Sequence, residues 1–61
     1  MLKDAERFFK VYSNLPLDER KKPIVILGKE PVSWDLAYAE IKNETEKGKK
    51  ILNILITLDF I

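Results

Sequence analysis

Apolar side chains recur at helical spacing from the start of the chain. Leu2, Ala5, Phe8, Phe9 and Tyr12 lie three and four residues apart, which places them on one face of a helix. Pro16 disfavours helical dihedrals at Leu15, so this helix is predicted to stop near Ser13-Asn14. Pro16 then suits the first position of a short helical turn through Leu17-Asp18-Glu19-Arg20. The pattern changes at Pro23-Ile24-Val25-Ile26-Leu27, a β-branched run that reads as a strand opened by proline. It has no polar alternation, so both of its faces are expected to be covered. Gly28 suits the first central position of a type II′ turn that returns Pro31-Val32 along the strand. Pro31 has no N–H to donate, which confines this return strand to a short edge.

The helical period resumes at Trp34, Ala37, Tyr38 and Ile41. Ser33 is placed to cap this helix and Asp35 to complement its dipole. The helix is predicted to end at Lys42-Asn43. A second start follows, with Asn43 as cap and Glu46 as its box partner, or Thr45 as the alternative cap. Gly48 is the weak point of that helix. The last segment supports two readings. Ile51, Leu52, Leu55 and Leu58 continue a helical stripe, while Ile54, Ile56, Leu58 and Phe60 alternate as in a strand. The preceding cap and the unbroken periodic run favour the helix, and residues 54–60 stay open between helix and strand. The order of elements is helix, short β-hairpin, then two helices. That is an α+β class in one small domain over residues 1–61.

Composition narrows the function classes. The chain has 61 residues, with 46% hydrophobic and 34% charged, a balance that disordered chains do not show. Eleven Lys and Arg against ten Asp and Glu leave a net charge of +1. Residues 1–31 carry 7 basic and 5 acidic groups and residues 32–61 carry 4 and 5, so neither half has a strongly positive field. Leu2-Lys3-Asp4-Ala5-Glu6-Arg7 lacks the apolar core of a signal peptide, and the apolar stretch from Ile51 to Ile61 is too short and too polar to span a bilayer. A soluble cytoplasmic protein without membrane association is expected.

Cys and His are both absent, which excludes Cys-His and Ser-His nucleophilic catalysis and His- or Cys-ligated zinc. Asp18, Glu19, Asp35, Glu40 and Glu44 are carboxylates without the deep burial that would raise a pKa for acid catalysis, and read as solvated faces and caps. Glu44-Thr45-Glu46 is too sparse for an oxygen-ligand metal loop. Around Leu27-Gly28-Lys29, Pro23 and Glu30 occupy the positions where a phosphate loop needs its first Gly and its Ser or Thr. No catalytic residue, metal or cofactor is expected. Trp34 and Tyr38 together match either a stacking platform or, more commonly for aromatics at helical spacing, a core.

Two phrases carry a resemblance. Tyr12-Ser13-Asn14-Leu15-Pro16-Leu17-x-Glu19-Arg20 and Gly28-x-x-Pro31-Val32-Ser33-Trp34-x-Leu36-Ala37-Tyr38-x-Glu40-Ile41-Lys42 resemble small uncharacterised proteins of thermophilic prokaryotes, archaea especially. That resemblance implies no activity or ligand. The lack of Gln and the predominance of Lys and Glu agree with a thermophilic origin. The hairpin around Gly28-Lys29-Glu30-Pro31-Val32 also looks like that of Phd-type antitoxins, and strand-then-helices is the outline of ribbon-helix-helix repressors. Both imply a DNA-binding regulator, for which Arg20, Lys21 and Lys22 are the candidate phosphate contacts. Against it, Ile24 to Leu27 offer no hydrogen bond to a base edge.

The end of the chain is the strongest functional signal. Eight of the last eleven residues are apolar, more than one helical stripe can use. A chain this small buries little of its surface and usually needs a disulfide, a metal or a partner subunit. We therefore expect a non-enzymatic interaction module, a homo-oligomer with Ile54, Phe60 and Ile61 at its interface and Leu52, Leu55 and Leu58 turned to its own core. A heterologous protein partner is the variant of this expectation, and the DNA-binding regulator is its rival.

Overall fold

A computed structural model describes residues 2–61 and gives the α+β order expected. Helix α1 spans Ala5–Ser13. Its inner face buries Ala5 and Phe8 completely, with Leu2, Phe9, Val11 and Tyr12 packed around them. It stops where Ser13 Oγ donates to the Phe9 carbonyl at 2.8 Å and Asn14 Nδ2 to that of Lys10 at 3.0 Å, local bonds that compete with helix continuation. The single turn α2, Leu17–Arg20, follows. Pro16 stands one position earlier than expected, as its cap, with φ −60° and ψ 151°. Extended geometry at the cap is what lets a fixed φ lead into the turn.

Strands β1, Pro23–Leu27, and β2, Glu30–Ser33, form an antiparallel ribbon. Gly28 has φ 67°, the positive value a II′ turn needs at that position. Leu27 pairs with Glu30, Ile26 with Pro31 and Val25 with Val32, and the register shifts between Pro23 and Val25. Hydrogen-bonded and non-bonded pairs alternate along such a ladder. Beside the turn-closing pair, Pro31 falls at a non-bonded position where its missing N–H costs nothing. The expectation that both faces of β1 are covered is wrong. Val25 and Val32 are buried, but Ile26 is 70% exposed, because the helices pack on only one side of the ribbon.

Helix α3, Trp34–Lys42, begins as expected, Ser33 Oγ accepting from the Leu36 N–H at 3.1 Å. Helix α4, Glu46–Thr57, is capped by Thr45 rather than Asn43. Asn43 is instead the C-cap of α3, and Glu44 beyond it has φ 56°. The Glu44 N–H reaches the Ile41 carbonyl at 3.1 Å and the Thr45 N–H that of Glu40 at 3.2 Å, the paired bonds of a Schellman ending. Gly48, expected as a weakness, is buried where α4 crosses α3.

Residues 54–60 resolve as a helix through Thr57 followed by a turn. Asp59 has φ 60°, its N–H bonds the Ile56 carbonyl at 3.0 Å, and the Phe60 N–H bonds that of Leu55 at 2.9 Å. This is a second Schellman ending. Helix wins over strand because Gly48, Ile51, Leu52 and Leu55 bury one continuous face at helical spacing. The core is thus α1, α3 and α4 closed over the inner face of the ribbon, with Trp34, Ala37 and Ile41 at its centre.

Candidate interaction surface

The carboxylates scatter into structural roles. Asp35 accepts a hydrogen bond from the Tyr12 hydroxyl at 2.6 Å. Glu19 pairs with Lys22 at 2.9 Å, Glu46 with Lys49 at 3.2 Å, and Glu30 with Lys47. Glu40 accepts from the Thr45 hydroxyl at 2.6 Å. Among the described residues no three acidic side chains converge as metal ligands.

The aromatic residues share one cluster. Trp34 is 8% exposed and its ring centroid lies 5.6 Å from that of Phe8. Tyr38 stacks on Tyr12 at 4.5 Å and meets Phe9 edge-on at 5.6 Å. Trp34 is therefore core, and the half-buried Tyr38 ring packs on Tyr12 and Phe9. The hydrogen bond to Asp35, then burial, then the Asp35 charge together raise the Tyr12 pKa, since each disfavours the phenolate.

Arg20, Lys21 and Lys22 stand at the end of α2 and in the link to β1. They do not form a uniform basic strip. Arg20 is half-buried with its guanidinium 4.4 Å above the Tyr12 ring, Lys22 is bonded to Glu19, and Lys21 is exposed. The ribbon beside them is closed within one chain, β1 on β2, and the side chain it turns outward is Ile26.

The C-terminal residues divide. Phe60 is 48% exposed. Ile54 and Ile61 are only half-exposed and pack against the core, and the Ile61 carbonyl accepts from Arg7 Nη2 at 2.7 Å. Leu58 corrects the sequence reading: it was expected inside, yet it is 58% exposed, because α4 ends at Thr57 and the stripe loses its phase at the cap. Beside this end lies a groove of about 350 Å³ between residues 2–4 and α4. Leu2, Leu52 and Ile56 form its apolar floor, and Lys3 and Lys49 stand at its rim with Asp4 and Asn53. Sequence periodicity could not find the groove, because it depends on where Asp4, at φ 66°, sends the residues before α1.

No protein family model matches the chain, and neither the curated proteins nor the solved structures hold a significant match to it. Among the described residues no helix is long and apolar enough to cross a membrane.

Proposed function

We propose that the chain is a non-enzymatic interaction module that self-associates through its apolar C-terminal segment. The observation that carries this reading is the exposure of Leu58 and Phe60 at the end of a helix whose neighbouring Ile54, Ile56 and Ile61 are themselves only partly covered. An apolar patch gathered at one end of a small domain marks a contact surface. A partner also adds stability that a core of this size lacks. The partner in this reading is a second copy, and no cofactor takes part. Ile54 is partly buried against the core while Leu58 is exposed, so Leu58 is the position at which to challenge the patch.

The experiment is light scattering with thermal unfolding across a hundredfold dilution. A dimer whose Tm falls on dilution is the expected result, together with a folded monomer for Leu58→Lys. A monomer with a dilution-independent Tm overturns the reading. A monomer of that kind that acquires a complex with duplex DNA at low salt, lost in Lys21→Glu with Lys22→Glu, replaces it with the regulator.

A further inference from the structure

We propose that the free edge of β1 takes up an extended peptide as a third strand, one with a β-branched residue at its centre and carboxylates at both ends. This goes beyond self-association and uses a different surface from Leu58 and Phe60. The register decides which edge is open. Leu27 and Glu30 close the two-residue turn, and Val25 pairs with Val32. Such pairs exchange their main-chain bonds inside the ribbon, and the residue between them directs its own outward. That residue on β1 is Ile26, opposite Pro31, so the Ile26 N–H and C=O point away from β2. The sheet has two strands, and among the described residues no other part of the chain bonds to the Ile26 main chain. The matching position on the far edge of β2 is Pro31, which has no N–H to offer. One edge of the ribbon is blocked and the other is left able to pair.

The side chains define what kind of strand fits. A residue directly opposite Ile26 lies on the same face as the Ile26 side chain, which is 70% exposed, and a β-branched residue packs well there. The register shift between Pro23 and Val25 bends β1 and restricts regular pairing to the few residues around Ile26, so the ends of the added segment matter. Both ends of β1 are basic. Lys21 precedes it and Lys29 follows it, each exposed and without an ion pair among the described residues. The nearby carboxylates do not neutralise them: Glu19 holds Lys22, Glu30 holds Lys47, and Asp18, in the first turn of α2, forms no ion pair. Arg20 lies over Tyr12. Residues 18–30 with Lys47 carry five basic and three acidic groups, so the surroundings of the edge are net positive. Charge therefore favours an acidic peptide over a second copy. The β1 of a copy, laid antiparallel about Ile26, brings Lys29 of each to the Lys22 end of the other and sets like charges together.

The probe is a capped peptide with Val-Ile-Val at its centre and two Glu at each end, titrated at low salt into the full isotope-labelled chain and followed by NMR. The Ile26 amide is expected to shift most, and its hydrogen exchange to slow about tenfold at saturation, while Val25 and Leu27, already bonded to β2, change little. Gln in place of the peptide's Glu, or Lys21→Glu with Lys29→Glu in the protein, is expected to weaken binding about fivefold. Ile26→Pro removes a donor that the ribbon does not use and is expected to abolish binding. Should that variant not fold, exchange at Ile26 in the parent decides the matter. An Ile26 amide unchanged at millimolar peptide, shifts confined to other elements, or equal binding of the Gln peptide overturns the proposal. Protection of Ile26 that rises with protein concentration in the absence of peptide gives the edge to a second copy and overturns it too. The same titration in Leu58→Lys chains is expected to give the same result, which keeps its failure distinct from that of self-association through the C-terminal patch.

Discussion

Gly48 and the main chain of Glu40 mark the closest approach of α3 and α4. A Cβ at position 48 would stand 2.6 Å from the Glu40 carbonyl carbon and 2.9 Å from the Ile41 nitrogen, with backbone that cannot swing aside. In an open helix, Gly→Ala adds about 1 kcal/mol of stability. Here the overpacking term, about 1–3 kcal/mol, opposes and exceeds it. Gly48→Ala should therefore lower the urea midpoint. A raised midpoint would mean that the helices stand further apart than described. Gly28→Ala is the contrasting case. Nothing lies within 4 Å of its Cβ, but φ is 67°, so its cost is the backbone penalty alone, about 1 kcal/mol.

Thr45 links the same two helices by hydrogen bonds. Its N–H closes α3 on the Glu40 carbonyl at 3.2 Å, its Oγ1 accepts from the Gly48 N–H at 2.9 Å, and its hydroxyl donates to Glu40 Oε1 at 2.6 Å. Loss of an N-cap oxygen costs about 0.5–2 kcal/mol, and here the Glu40 contact goes with it. Thr45→Ala should fall at the upper end of that range and Thr45→Ser near zero. Amide exchange at Gly48, faster in the alanine variant only, checks the assignment.

Which parts of this were legible beforehand follows from what each depends on. Ser33, Gly28, Pro31 and the stripe from Trp34 to Ile41 act through neighbours in sequence, so spacing was enough to place them. Gly48 was misjudged because helix propensity carries no information about a crossing helix. Asn43 lost the cap to Thr45 because Glu44 enters the left-handed region, a step that favours Gly or Asn and that a glutamate does not announce. Leu58 was assigned inward by a period that had already ended one residue earlier. Ile26 was assigned inward because a two-stranded ribbon with one open face and a fully covered strand can share the same apolar run. The groove, built from both ends of the chain, had no local signal at all.

The Tyr12–Asp35 pair gives a pH dependence with a fixed sign. Tyr12 has a raised pKa, chiefly from its bond to Asp35, so the native chain holds the phenol proton more tightly than the unfolded one. Stability from this pair is complete below the ordinary tyrosine value near 10. It declines as pH rises through the native pKa, because the unfolded state then binds fewer protons. Phenolate absorbance in a Tyr38→Phe background should show Tyr12 titrating late, and Asp35→Asn should bring it back toward the ordinary value. Titration of Tyr12 at that value with Asp35 intact would show that the bond does not persist in solution.

Trp34 should be the most costly single truncation among the aromatics. Its ring is nearly enclosed, it contacts the fully buried Phe8, and it starts α3 immediately after the Ser33 cap. Removing it empties the space between α1, α3 and the ribbon, and Trp→Ala truncations of this kind cost about 3–5 kcal/mol. That is comparable to the lower end of a small domain's whole stability, so Trp34→Ala should be largely unfolded at ambient temperature. Tyr38→Ala should do less damage, since Tyr38 is partly solvated and its ring contacts lie at the cluster's edge. The measurement is paired: denaturation for the variants, and tryptophan emission for the parent. A blue-shifted maximum that moves red on unfolding is required by a core tryptophan. A maximum already at the water value in the folded protein would instead put the ring in solvent, and the mutational cost would then have to be small as well.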